Sequence, residues 1–438
     1  MSEGASLIDR IRLSSPYRFY GKVVRVAGVM VESEGPQSSV GELLEIKTTT
    51  GRNLISEVVG FRENNIISMP LDEMTGIGVG DKVIATRRYP KIKVGEKLLG
   101  RVIDSLGNPM DDKGKIPTED FYPIYRRAPK ALKREIIREK VETGVRAIDG
   151  FTTIGKGQRI GIFAGSGIGK STLLGMIARS TSADINVIIL VGERGREVKE
   201  FIERDLGTGI KRSVVVVATS DEPPLLKLRA AYAGTAIAEY FMEKGYNVLI
   251  MLDSLTRFAY AQREIGLATG EPPSTKGYTP SVFSALPRLL ERAGNFENKG
   301  SITGIYTVLV EADDITEPVA DISRSILDGH IVLDRRLANR NHYPAIDILQ
   351  SVSRVMNSVV EEEHINYAGR VRELLSAYND AEDLINIGAY VKGSNPLIDE
   401  ALDKIEQINA FLRQKVDESS SYNKTLKKLK EIFKDEEI

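Results

Sequence analysis

The chain has no cysteine and no tryptophan among its 438 residues, and only three histidines. Without a thiol there is no disulfide, no thiolate nucleophile and no cysteine-ligated metal, a composition that fits a reducing cytosol. His330, His342 and His364 are scattered, so a histidine-centred metal site is not expected. Long apolar runs are lacking too. The longest runs, such as 187–191 and 214–218, are about five residues against the ~20 of a membrane helix. Residues 1–13 carry Glu3 and Asp9 and no apolar block, which argues against a signal peptide. Nor is there an excess of one charge: 60 Lys and Arg face 61 Asp and Glu, for a net charge of −1. A nucleic-acid binder carries a basic stripe, and none is seen. The expectation is a soluble, cytoplasmic protein with no nucleic-acid partner and only peripheral contact with a membrane.

What is present divides into regions. The length implies about two or three domains. Short β-branched runs broken by glycine, at 21–26, 43–48, 54–60 and 82–86, read as a small barrel or sandwich. Residues 98–111 and 117–129 read as a connecting passage. From about Arg146 short apolar runs alternate with helix-length patterns, the mark of an α/β region with a largely parallel sheet. The expected strands are 159–163, 186–191, 214–218, 248–252 and 305–310, and the expected helices 170–180, 197–205, 225–244 and 281–292. Beyond about Ser358 the pattern is helical, at 370–380, 396–416 and 420–434. The run 424–435, rich in lysine and glutamate, reads as a solvated helix face. Residues 1–16 read equally as a partner-binding helix, with Leu7, Ile8 and Ile11 on one face, or as a disordered end.

The chemistry starts at Ala164-Gly165-Ser166-Gly167-Ile168-Gly169-Lys170-Ser171, between an expected strand and helix. A glycine-rich turn exposes main-chain N–H groups, and the helix N-terminus adds partial positive charge; both favour a polyphosphate. Lys170 is placed for the β and γ phosphates and Ser171 for Mg²⁺, although Ala164 stands where the motif has glycine. In open parallel sheets ligands bind beyond the carboxyl ends of strands. There the sequence places Asp253, suited to Mg²⁺, and Glu193, suited to orienting water. Arg194 and Arg257 follow the same strand ends and suit the γ-phosphate. Arg354 reads equally as a salt-bridge residue, and Tyr343 as ordinary packing.

These and further stretches resemble the rotary-ATPase superfamily of F-type and V-type catalytic subunits. The stretches are Leu99-Gly100-Arg101-Val102, Arg146-Ala147-Ile148-Asp149-Gly150, Gly192-Glu193-Arg194-Gly195-Arg196-Glu197 and Asp253-Ser254-Leu255-Thr256-Arg257. Gln262-Arg263-Glu264-Ile265, Gly270-Glu271-Pro272-Pro273, Lys276-Gly277-Tyr278 and the run 384–402 are similar to one branch, the flagellum-specific export ATPases and their relatives in injection-type secretion systems. Ala164 is usual in that branch.

The resemblance implies a RecA-like nucleotide domain (96–370), a six-stranded N-terminal barrel (17–95), a helical C-terminal domain (371–438) and a homohexamer. It implies that Gly165, Ser166, Gly167, Ile168, Gly169, Lys170, Ser171 and Thr172 hold the phosphates of ATP, with Mg²⁺ at Ser171 and Asp253. Glu193 is then the catalytic carboxylate, Arg194 and Arg257 are γ-phosphate contacts, Tyr343 stacks on adenine, and Arg354 enters the neighbouring subunit's site. Implied partners are stalk-like and stator-like export proteins, chaperones, export substrates and a membrane gate.

Three rivals remain. A catalytically silent ring subunit would lack Glu193, and the catalytic subunit of a proton-translocating ATP synthase would lack the export-type stretches. An RNA translocase would need a basic and aromatic groove in 17–93, which the sequence does not show.

Overall fold

Alternating apolar and polar residues along 20–88 close a small barrel in the computed structural model, which describes residues 19–118, 120–310 and 317–434. The segment 1–16 lies outside the described residues. Strands β1 (Tyr20–Ala27), β2 (Met30–Glu34), β3 (Leu43–Lys47), β4 (Asn53–Arg62), β5 (Asn65–Pro70) and β6 (Lys82–Arg88) join in the order β1-β2-β5-β4-β3-β6. Six strands is the number the resemblance implied; β2 and β5 were not read from the sequence. Period-two alternation points Leu44 and Ile46 of β3 inward, where they meet Val23, Val31, Leu54, Val58, Ile66 and Val83. By its contacts the chain divides into two units. Among the described residues, one holds those up to Lys91 with 223–226 and 261–281, and the other holds the rest.

The second unit is built on a largely parallel sheet. β7 (Lys91–Val94) pairs with β9 (Asp120–Pro123), and β10 (Lys140–Val141) with β11 (Ile154–Gly155), in two small ribbons. The main sheet contains β8 (Arg101–Asp104), β12 (Arg159–Ala164), β13 (Ile185–Glu193), β14 (Ser213–Thr219), β15 (Asn247–Asp253), β17 (Ser301–Leu309), β18 (Gly329–Leu333) and β19 (Ile346–Ser353). Their order is β19-β18-β12-β17-β15-β13-β14-β8, and the short β16 (Gly294–Asn295) pairs with β17. β13 is buried along eight of its nine residues, as expected for a strand covered on both faces.

Residues 98–111 are therefore more than a passage. Arg101–Asp104 is an edge strand parallel to β14. Arg101 grips Asp111 with Nε and Nη2 (2.7 and 2.8 Å), which holds the Asp111 carboxyl far below its usual range. Only four residues long, this strand left too short an apolar run to read. β18 and β19 were also missed. β19 runs antiparallel to β18, so its carboxyl end returns to the edge of the sheet where the parallel strands begin.

The helix expected at 197–205 divides in two, an α-helical turn at Gly195–Glu200 and a π-helical turn at Phe201–Leu206. This turn packs against the helix Lys170–Ser180 at Gly175, where a Cβ would lie 2.4 Å from the Asp205 carbonyl oxygen. The last three helices are Glu362–Asn386, Pro396–Leu412 and Tyr422–Glu431. They share an apolar core with the sheet layer through Phe151 and Phe411, whose rings meet edge-on at 5.8 Å. The Arg146–Asp149 motif serves this joint. Buried Arg146 donates from Nε to the Phe411 carbonyl (2.8 Å), and buried Asp149 accepts from the main chain of Thr143 and Gly144. Tyr422, Thr425 and Leu429 are buried, so the last helix shows only part of its surface to water.

Candidate nucleotide site

The loop Gly165–Gly169 leaves β12 and turns directly into the helix Lys170–Ser180. Gly167 and Gly169 have φ of +78° and +89°, a conformation that costs other residues strain. The turn therefore rests on glycine, and it leaves the first N–H groups of the helix open to a ligand. Beside it lies a cavity of about 730 Å³, lined by the loop, Ser171, Thr172, Glu193, Arg194, Arg257 and Arg335.

Lys170 is the electrostatic centre of this cavity. Its ammonium contacts Asp253 Oδ1 and lies 3.7 Å from Glu193 Oε1. Burial works against its charge, but the two carboxylates outweigh that and hold Lys170 above its ordinary value. Burial, reinforced by the Asp253 charge and only partly offset by Lys170, pushes Glu193 up to about 7. Oε1 of Glu193 is buried and has no hydrogen-bond partner. Asp253 also accepts from Thr307 Oγ1 (2.6 Å).

The other expected residues fall into three places. Arg257 and Arg194 line the cavity with Glu193; Arg194 is 81% exposed and 3.7 Å from Glu197. Tyr343, 42% exposed, lines a smaller cavity of about 200 Å³ with Gly169, Thr172, Leu333 and Pro344, and Gly169 and Thr172 line the larger cavity too. A Cβ on Gly169 would touch the Tyr343 ring at 3.6 Å, so ring and loop are neighbours. Arg354 is elsewhere. It follows β19, and its N–H bonds the Asp328 carbonyl (3.0 Å) just before β18. That is the amino edge of the parallel strands. With six residues in β12, it lies ~17–20 Å from the phosphate loop.

Thr307 and Arg335 were not anticipated. Arg335 donates to the carbonyl of Ser166 (3.1 Å), bracing the loop from outside. Neither had a signal that set it apart: Thr307 is one of four hydroxyl-bearing residues in the buried strand Ser301–Leu309. Among the described residues no group of three or more His, Asp or Glu suits a metal ion. The Ser171 hydroxyl and Asp253 offer two oxygens, a donor set that suits Mg²⁺, which takes its other ligands from phosphate and water. Among the same residues, no helix is long and apolar enough to cross a membrane.

Three family profiles match. Residues 144–353 match the nucleotide-binding domain of the ATP synthase alpha/beta family, 23–87 its beta-barrel domain, and 360–431 the T3SS EscN ATPase C-terminal domain. The chain is 56% identical to the flagellum-specific ATP synthase of Bacillus subtilis over 437 residues, covering 99% of each. It is 51% identical to the type 3 secretion system ATPase of Xanthomonas euvesicatoria, covering 95% of each. The assembled ATPase EscN of enteropathogenic E. coli superposes with a TM-score of 0.89 at 46% identity, over 94% of this chain and 99% of that one. EscN in complex with its central stalk EscO gives 0.86 at 45% identity, with the same coverage. A phosphate loop, two strand-end carboxylates and near full-length likeness agree: the chain belongs to the ATP synthase alpha/beta family, in the branch of the flagellum-specific and type 3 secretion ATPases.

Proposed function

We propose that this chain hydrolyses Mg²⁺-bound ATP in a ring of identical copies, a homohexamer, and that turnover energises export of flagellar or related secreted proteins. In this reading residues 17–95 form the barrel domain, 96–370 the ATPase domain and 371–438 the helical domain. The observation that carries it is the bracketing of Lys170 by Asp253 and Glu193 beside the phosphate loop, with Glu193 Oε1 buried and unbonded.

Main-chain N–H groups of the loop and helix N-terminus take the charge of the polyphosphate. Lys170 turns to the β and γ phosphates, which relieves its hold on Glu193. The freed Glu193 carboxylate accepts a hydrogen bond from water and takes its proton as the water oxygen bonds to the γ phosphorus. The bond from that phosphorus to the bridging oxygen breaks, leaving ADP and phosphate. Arg194 and Arg257 neutralise charge on the γ-phosphate. Ser171 and Asp253 would hold Mg²⁺, which would supply charge neutralisation for the phosphates. Tyr343 offers its ring face to adenine.

Arg354 stands at the wrong edge of the sheet to serve its own loop, which supports a site completed by the next copy. The relative EscN has been solved assembled and with a central stalk. By likeness, a stalk-like partner, stator-like proteins, chaperones with their substrates and a membrane gate are the partners we assign here, at the inner face of the membrane. An ATP synthase catalytic subunit is the alternative; the match of 360–431 to the EscN C-terminal domain favours export. The test separates binding from cleavage. Glu193→Gln should bind ATP within threefold of the parent and lose ~10²–10⁴ in phosphate release, whereas Lys170→Ala should lose both. Undiminished phosphate release by either variant overturns the reading.

A further inference from the structure

The amino edge of the sheet is rich in arginines, and most are neutralised. Arg159 pairs with Asp328 and Glu291, Arg292 with Glu239, and Arg134 with Glu291. Two are not. Among the described residues neither Arg324 nor Arg354 has an acidic side chain within ion-pair distance. They are set side by side: Arg354 Nη2 donates to the main-chain oxygen of Arg324 (3.4 Å), in the last turn of the helix Pro318–Ile326. His330, at the start of β18, lies near both. Burial and the charges of Arg324 and Arg354 together hold its imidazole below the ordinary value.

Capping of the helix carboxyl end accounts for one cation here, because the carbonyls and the helix dipole attract it. It does not account for the second cation, whose charge reaches His330 together with that of the first and which has no acidic partner of its own among the described residues. Such a pair calls for an anion from outside the chain. We propose that Arg324 is a second guanidinium which, with Arg354, this chain lends to the nucleotide phosphates held on the loop of a neighbouring copy. The inference rests on the shared-site reading above and adds a residue to it. A bound triphosphate is the densest anion such a neighbour presents, and two planar forks can hold its oxygens from two directions.

The test is single-turnover cleavage, with ATP substoichiometric to sites so that one working interface suffices. Arg324→Ala should assemble to the parent mass and cleave roughly 10- to 100-fold more slowly, with Arg324→Lys in between. The decisive arm mixes chains before assembly. Lys170→Ala cannot cleave but keeps its amino edge, so in excess it should restore the cleavage rate per Arg324→Ala chain to within threefold of parent chains mixed the same way. If Arg324→Ala does not assemble, Arg324→Lys takes its place. Parent-rate cleavage by Arg324→Ala, or rescue of Arg354→Ala but not of Arg324→Ala, overturns the proposal and leaves the shared site standing. Rescue of neither overturns both.

Discussion

The two edges of the parallel sheet use charge in opposite ways. At the amino edge Arg292 is wholly buried and gives Nε and Nη2 to Glu239 at 2.7 and 2.9 Å, with Nη1 on the Ile124 carbonyl. Each of those groups has its partner within the chain. At the carboxyl edge Lys170 is shared by two carboxylates, Glu193 keeps an unbonded oxygen and Arg194 projects into solvent. Satisfied charges hold a fold, whereas a cluster left short of partners is ready for a ligand. By that criterion Arg354 and Arg324 belong with the carboxyl edge, although they stand at the other.

Substitutions can break this contrast. Arg354→Ala should have the largest effect, lowering turnover by about 10³-fold or more while nucleotide binding stays within threefold; equal losses in titration and in phosphate release would count against a trans role. Arg292→Ala should act on stability instead. It leaves buried Glu239 with only the half-exposed Arg126 (3.2 Å) as a partner, at a cost of about 3 kcal/mol in thermal or denaturant unfolding. A small loss there would mean that the amino edge is not what holds the layer.

The pH dependence sharpens the point at the other edge. Glu193 is raised to about 7, so the ionised base prevails above that pH and the protonated, inactive form below it. In kcat/KM for ATP, each pH unit below about 7 should cost roughly tenfold, and the residual activity of Glu193→Gln should lack this limb. A parent profile flat from pH 5.5 to 8 would contradict the assignment. Tyr343→Ala should have the smallest effect, raising KM for ATP by about tenfold with kcat nearly unchanged, and Tyr343→Phe should behave as the parent.

How much of this could be read from the residues depended on how local the signal was. The phosphate loop is a contiguous string, and the helix after it runs 170–180 as expected because glycine, lysine and serine fix both turn and start. Glu193 and Asp253 were found because each ends a strand whose apolar run is unmistakable. β8 and β19 were lost for the opposite reason. The first has four residues, and the second buries only some of its positions, so neither leaves a continuous apolar run. Losing β19 hid where Arg354 stands, since its position depends on that one antiparallel strand. Thr307 and Arg335 act on Asp253 and Ser166 from far along the chain, and spacing cannot show that.

The central claim is that the loop of one copy and the amino edge of another make one site. Turnover per chain measured against protein concentration, with mass read on the same samples, tests it most directly. The account predicts a steep rise in specific activity as single chains give way to rings, and none for Arg354→Ala. Constant specific activity down to dilutions where only single chains are found would contradict it.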